Sequence, residues 1–97
     1  MLKDRTNGTQ EYKEAIKELT QIPGVGKSIA NDLVQIGIKR ISDLKNKNPE
    51  KLYHQSNTYC GVVQDRCVLY TFRCAVYFAS NDKHDPKKLK WWNWTDK

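Results

Sequence analysis

The stretch best equipped to hold an anion is Pro23-Gly24-Val25-Gly26-Lys27-Ser28, where two glycines flank one residue and a lysine and a serine follow. A helix that begins right after Gly26 leaves its first amides, from about Gly24 to Ser28, without intrahelical partners. Those amides lie at the positive end of the helix dipole, which favours phosphate. A glycine has no Cβ to hold a phosphate off the backbone. Lys27 adds a mobile positive charge, and Ser28 adds a hydroxyl donor. Gly26-Lys27-Ser28 also matches the end of a nucleotide-binding P-loop, but that loop needs glycine at position 21, where Gln21 stands.

Two further groups of residues could touch a polyanion. Lys39, Arg40, Lys45, Lys47 and Lys51 form the densest basic stretch. They make either a solvated face or a flank that extends a phosphate track. Trp91, Trp92 and Trp94 follow Lys87, Lys88 and Lys90, and could stack unpaired bases or close a small core. Arg66 and Arg73 share a helix face, and Arg73, inside an apolar run, reads as a snorkelling or paired arginine. Three cysteines at 60, 67 and 74 carry no CxxC pair, so they read as reduced, buried small hydrophobes rather than zinc ligands. Asp43 reads as a polar residue in a short helix, and nothing near it builds a pocket for a flipped base. The expectation is a protein that is not an enzyme.

The elements that must position these residues are helices. Tyr12, Ile16 and Leu19 give an apolar stripe for a helix over about 9–20. Ile29, Leu33 and Ile36 do the same for about 27–36, with Gly37 as its stop. Ser42 can cap a short turn through Leu44. Asn48-Pro49 reads as N-cap and first residue of a helix to about Asn57. Gly61 marks a break before a long helix over about 63–79. On that helix Cys67, Tyr70, Cys74 and Tyr77 lie near one line, with Leu69, Phe72 and Val76 beside it. Asp85-Pro86 opens a last short helix toward Trp92. No strand-like alternation is present, so the fold class is all-α, with about five to six helices.

The 97 residues suffice for one small domain that buries roughly 65% of its unfolded surface. Net charge is +6, with residues 27–58 contributing +3 and 80–97 contributing +2. Such an excess favours nucleic acid first and an acidic membrane surface second. The N-terminus shows no apolar signal region, and the longest apolar run, Cys67 to Ala79, is too short and too charged to span a membrane. A cytoplasmic location with no membrane partner is expected.

Leu19-Thr20-Gln21-Ile22-Pro23-Gly24-Val25-Gly26-Lys27-Ser28-Ile29-Ala30, continued by Leu33, Gly37-Ile38-Lys39 and Ile41-Ser42-Asp43-Leu44, closely resembles the helix-hairpin-helix DNA-binding motif. The resemblance implies contacts to DNA phosphates without base reading, through Pro23, Gly24, Val25, Gly26, Lys27 and Ser28, with Lys39 and Arg40 adding charge. Some members of that superfamily also hold K⁺ or Na⁺ through hairpin carbonyls, by position those of Thr20, Ile22 and Val25. No other cofactor is implied. The whole chain also resembles a family of small bacterial proteins named for a "pathogenicity locus". That likeness lies in the hairpin, in Asp65 to Tyr70 with Phe72 to Ala79, and in Leu89-Lys90-Trp91-Trp92-Asn93-Trp94.

On this basis residues 1–8 are a flexible leader and 9–97 a single domain. A first hairpin unit spans 9–46, a degenerate second unit 47–80, and a Trp-rich short helix 85–97. The second unit has one glycine and an early Asp65, so it is expected to serve structure. The expected function is non-sequence-specific DNA binding, duplex favoured over single strand, with a homodimer or protein partner raising affinity. The rival is a protein-docking module using the Trp-rich C-terminus without DNA contact.

Overall fold

The computed structural model describes residues 10–96, which are helical with no strand among them. The expected leader at 1–8, the first expected helical residue Thr9, and Lys97 lie outside the described residues. Four α-helices are present: α1 (Gln10–Leu19), α2 (Lys27–Gln35), α3 (Pro49–Cys60) and α4 (Arg66–Ser80). Single 3-10 turns occupy Ile41–Leu44, Pro86–Leu89 and Trp91–Trp94. The count of five to six helices is thus corrected to four α-helices and three short turns.

The reason is clearest at the C-terminus. Asp85 caps the start of its turn, accepting from the Lys87 amide at 3.0 Å. A continuing helix would give the Lys87 and Lys88 carbonyls to main-chain amides one turn on. Asn93 Nδ2 and Trp94 Nε1 donate to those two carbonyls, each at 2.7 Å, and the main-chain amide of Lys90 reaches the Lys87 carbonyl only at 3.5 Å. Side-chain donors outcompete the helix ladder, and two 3-10 turns result.

The middle of the chain shows the same competition. Asn48 caps α3, accepting from the Glu50 and Lys51 amides. The helix runs three residues past Asn57 and ends at Gly61. α4 begins at Arg66 rather than Val63, because Gln64 is drawn back onto α3. Its amide donates to Asn57 Oδ1 at 3.0 Å, its side chain donates to Ser56 Oγ at 2.9 Å, and its carbonyl accepts from Tyr53. In the Ile41–Leu44 turn, Asp43 rather than Ser42 supplies the cap, accepting from the Lys39 and Arg40 amides.

α2 ends in a Schellman motif. The Ile38 amide reaches the Leu33 carbonyl and the Gly37 amide the Val34 carbonyl, with Gly37 at φ +96°. Ile38 then turns inward and is buried.

The core joins all four helices. Leu19, Ile22, Leu33, Leu44, Leu69 and Phe72 are almost wholly buried. The face that α4 gives to this core is Val68, Leu69, Thr71, Phe72, Cys74 and Ala75. The expected tyrosine line is half-buried and lies under the C-terminal segment: Tyr70 shares Asp96 with Arg66, and Tyr77 packs on His84 and Trp94. α4 is therefore covered on two sides, which periodicity alone does not reveal. Thr71 keeps its hydroxyl satisfied by donating to the Cys67 carbonyl at 2.8 Å.

With so thin a core, one large truncation should be felt strongly. Phe72→Ala is expected to cost about 3–5 kcal/mol. Urea unfolding followed by helical circular dichroism checks this.

Candidate nucleic-acid interface

The α1–α2 connection is built by alternation. In Ile22-Pro23-Gly24-Val25-Gly26 the apolar residues Ile22 and Val25 point into the core, and both glycines face outward. The Val25 amide donates to the Ile22 carbonyl at 3.0 Å, closing a four-residue turn. Proline in its second position and Gly24 at φ +86° in its third are the signature of a type II turn. Gly26, at φ −90°, is the N-cap of α2, and its carbonyl accepts from the Ala30 amide at 2.9 Å.

The amides of Gly24, Gly26, Lys27 and Ser28 hold no hydrogen bond among the described residues. All four residues are exposed. Lys27 makes no ion pair among the described residues. A Cβ built on Gly26 would meet nothing within 4 Å, so the space beside Gly26 is open. Of the carbonyls expected to face a monovalent ion, those of Thr20 and Val25 accept no backbone hydrogen bond among the described residues, and that of Ile22 accepts one. Carbonyl oxygens of this kind suit K⁺ or Na⁺, whose hydration shell they replace.

Gly24 is different. A Cβ there would lie 3.2 Å from Trp91 Cδ1 and 3.7 Å from Trp91 Cβ. The C-terminal segment therefore crosses α4 and reaches the turn. Beneath the crossing, Cys74 is buried, with its Sγ 3.5 Å from the Lys88 carbonyl and 3.9 Å from the Pro23 carbonyl. Burial pushes its thiol up to about 11. Cys60 and Cys67 are exposed, which corrects the expectation of three buried cysteines.

The segment is fastened by charge. Arg73 donates to the Trp94 carbonyl at 2.7 Å, pairs with Asp96 at 2.9 Å, and pairs with Glu50 of α3 at 2.9 Å. Arg66 pairs with the same Asp96. Hydrogen bonds from Arg66 and Arg73 hold the Asp96 carboxyl below the usual carboxylate range. Trp91 and Trp94 are half-buried, while Trp92 stays 55% exposed.

The structure gathers Pro23 to Ser28 at one end of α2 and places Lys39 and Arg40 at the other. Lys39 pairs with Glu11 at 3.2 Å, near the far end of α1, and both basic residues border a hollow lined by Glu11, Glu14 and Glu18. Their charge is answered locally. Sequence reasoning missed the contact between Trp91 and the turn, and also the exposed apolar tip at Tyr59, Val62 and Val63. The run Tyr59 to Val63 around a single glycine was its only trace in the sequence.

A small, basic, all-helical domain with an open helix N-terminus beside a Trp-rich strap is the class these features define. The model of the family described as "Pathogenicity locus" matches residues 12–97, and the chain belongs to that family. It is 33% identical over 78 residues to the mitomycin resistance protein McrB of Streptomyces lavendulae, covering 80% of this chain and 70% of that protein. No solved structure matches the chain. No helix among the described residues is long and apolar enough to cross a membrane.

The two glycines should respond differently to the same change. Gly24→Ala forces a side chain into positive φ and against Trp91, and is expected to cost about 1–2 kcal/mol. Gly26→Ala meets open space and exchanges only a favoured N-cap for a poorer one, so it should cost less, about 0.5–1 kcal/mol. Paired melting curves check both.

The strap should also sense acid. The Asp96 carboxyl, lowered in the folded state, favours folding above its unfolded value of about 3.9. That contribution is lost as pH falls through the lower folded value. Tryptophan fluorescence should report the strap loosening in that window, and Asp96→Asn should be loose at neutral pH and lack the transition.

Proposed function

We propose that α1, the Pro23–Gly26 turn and α2 form a helix-hairpin-helix, and that the protein binds duplex DNA without sequence preference. The observation that carries this reading is the set of free, exposed amides of Gly24, Gly26, Lys27 and Ser28 beside an open Gly26. They form an anion seat at the N-terminus of a nine-residue helix, with Lys27 beside it. The amides hold one or two phosphates across the minor groove, and Lys27 adds charge. A K⁺ or Na⁺ ion on the Thr20, Ile22 and Val25 carbonyls would supply positive charge behind the turn. α3, Gly61 and α4 form the degenerate second unit, which serves the core. Lys39 and Arg40 contribute only to the long-range field. No side chain is assigned a catalytic role. The relative's name speaks of mitomycin resistance; it names no binding partner, and the DNA reading rests on the turn.

The second reading is protein docking. Trp91 and Trp94 are engaged with the body of the domain, so only Trp92 is left for it in the Trp-rich segment. The exposed Tyr59, Val62 and Val63 favour this reading at the other turn.

One hairpin makes few phosphate contacts, so binding should be weak, roughly 10⁻⁴–10⁻⁶ M, and should weaken with salt. Tighter binding needs a dimer or a partner. Titration into a labelled duplex at low and moderate salt tests this, beside Gly26→Glu, a substitution that meets open space. Salt-sensitive binding that disappears in a variant of unchanged helicity is expected. Absence of wild-type binding at low salt would overturn the DNA reading and leave docking.

A further inference from the structure

We propose that Trp92 is a stacking platform for an unpaired nucleobase, placed beside the hairpin so that the protein prefers duplex DNA with an adjoining single-stranded nucleotide. This inference rests on the phosphate-binding reading of the turn. Three indoles stand within four residues, and the fold uses them unequally. Trp91 walls the turn at Gly24, and Trp94 packs on Tyr77 with its Nε1 bound to the Lys88 carbonyl. Trp92 is left 55% exposed.

Its position is set by Trp91. The two rings meet edge to face, at 86° and 5.8 Å between centroids, and Trp91 also lies against the Gly24 position. The open indole is thus neighbour to the ring that borders the turn. It is also held. Asn93 fixes the short turn by donating from its amide to the Lys90 carbonyl and from its side chain to the Lys87 carbonyl. A fixed aromatic face stacks a base with little loss of side-chain freedom.

Charge argues for a nucleic-acid occupant. Lys87 and Lys90 of the same segment are exposed and make no ion pair among the described residues, and Lys27 stands at the turn. Inside a duplex each base face is already covered by its neighbours, and a blunt end offers only the face of a closed pair. An unpaired base at an overhang, gap or frayed end offers its face without the cost of unpairing. The substrate class is therefore a duplex–single-strand junction.

The test compares a labelled blunt duplex with the same duplex carrying a short thymidine overhang, for wild type, Trp92→Ala, Trp92→Phe and Gly26→Glu, each checked for helicity. Wild type should bind the overhang substrate about five-fold tighter or more, the loss expected when one stacked base is removed. Trp92→Ala should erase that preference and leave blunt-duplex binding and its salt dependence unchanged. Trp92→Phe should restore part of it, and Gly26→Glu should weaken both substrates. Equal wild-type binding to the two substrates, or a preference that survives Trp92→Ala, overturns the proposal. Overhang binding that survives Gly26→Glu detaches Trp92 from the hairpin and also overturns it. If wild type binds neither substrate, the hairpin reading itself fails, and this inference falls with it.

Discussion

The structure depends on one guanidinium. Arg73 sits inside the apolar run of α4, with its side chain only 18% exposed, and its head joins three parts of the chain. It binds Glu50 at the start of α3, the Trp94 carbonyl and the Asp96 carboxylate, and it lies over the Tyr70 ring at 5.6 Å. An arginine can do this because its planar fork offers several donors at fixed angles while its stem stays in the apolar layer. A lysine would satisfy one of these partners and leave the others wanting. Through Arg73 the last residues are pinned across α4, and through them Trp91 reaches Gly24. The shape of the candidate interface therefore rests on an ion cluster whose members are far apart in sequence.

That dependence explains what could and could not be read beforehand. Local chemistry was legible. Pro23-Gly24 announced a turn, Asn48-Pro49 and Asp85-Pro86 announced caps, and Gly37 announced a helix stop, because each acts within a few residues. The covering of α4 on two sides was not legible. Cys67 and Cys74 are one heptad apart, yet one is exposed and the other buried, since the C-terminal segment and the core meet the helix at different heights. The breaking of the last helix into two turns also escaped, because it follows from Asn93 and Trp94 capturing carbonyls. Lys39 and Arg40 were correctly seen as basic, but sequence alone could not show that α1 answers them with acids.

The two glycines of the turn do different jobs. Gly24 is needed by the fold: its positive φ closes the turn, and its missing Cβ admits Trp91. Gly26 is needed by neither, since its backbone is ordinary and its surroundings are empty. At the N-cap of α2 a glycine is a favoured residue, and it sets no side chain over the free amides. The pair thus separates the stability of the turn from its use.

Charge bounds how strong that use can be. The net +6 overstates the field at the turn, because Arg66, Arg73 and Lys39 are committed to carboxylates and Lys88 lies over the Tyr77 ring. Lys27 remains beside the free amides, and Lys87 and Lys90 of the C-terminal segment are exposed and make no ion pair among the described residues. Few phosphates can be neutralised by so few free cations, so Coulomb attraction alone gives a shallow, salt-sensitive hold. Stacking on an aromatic face does not fade with salt in the same way. In the proposed reading, a basic domain this small gains selectivity by adding such a face next to its phosphate seat, and the seating of Trp91 against Gly24 is what brings Trp92 near the turn.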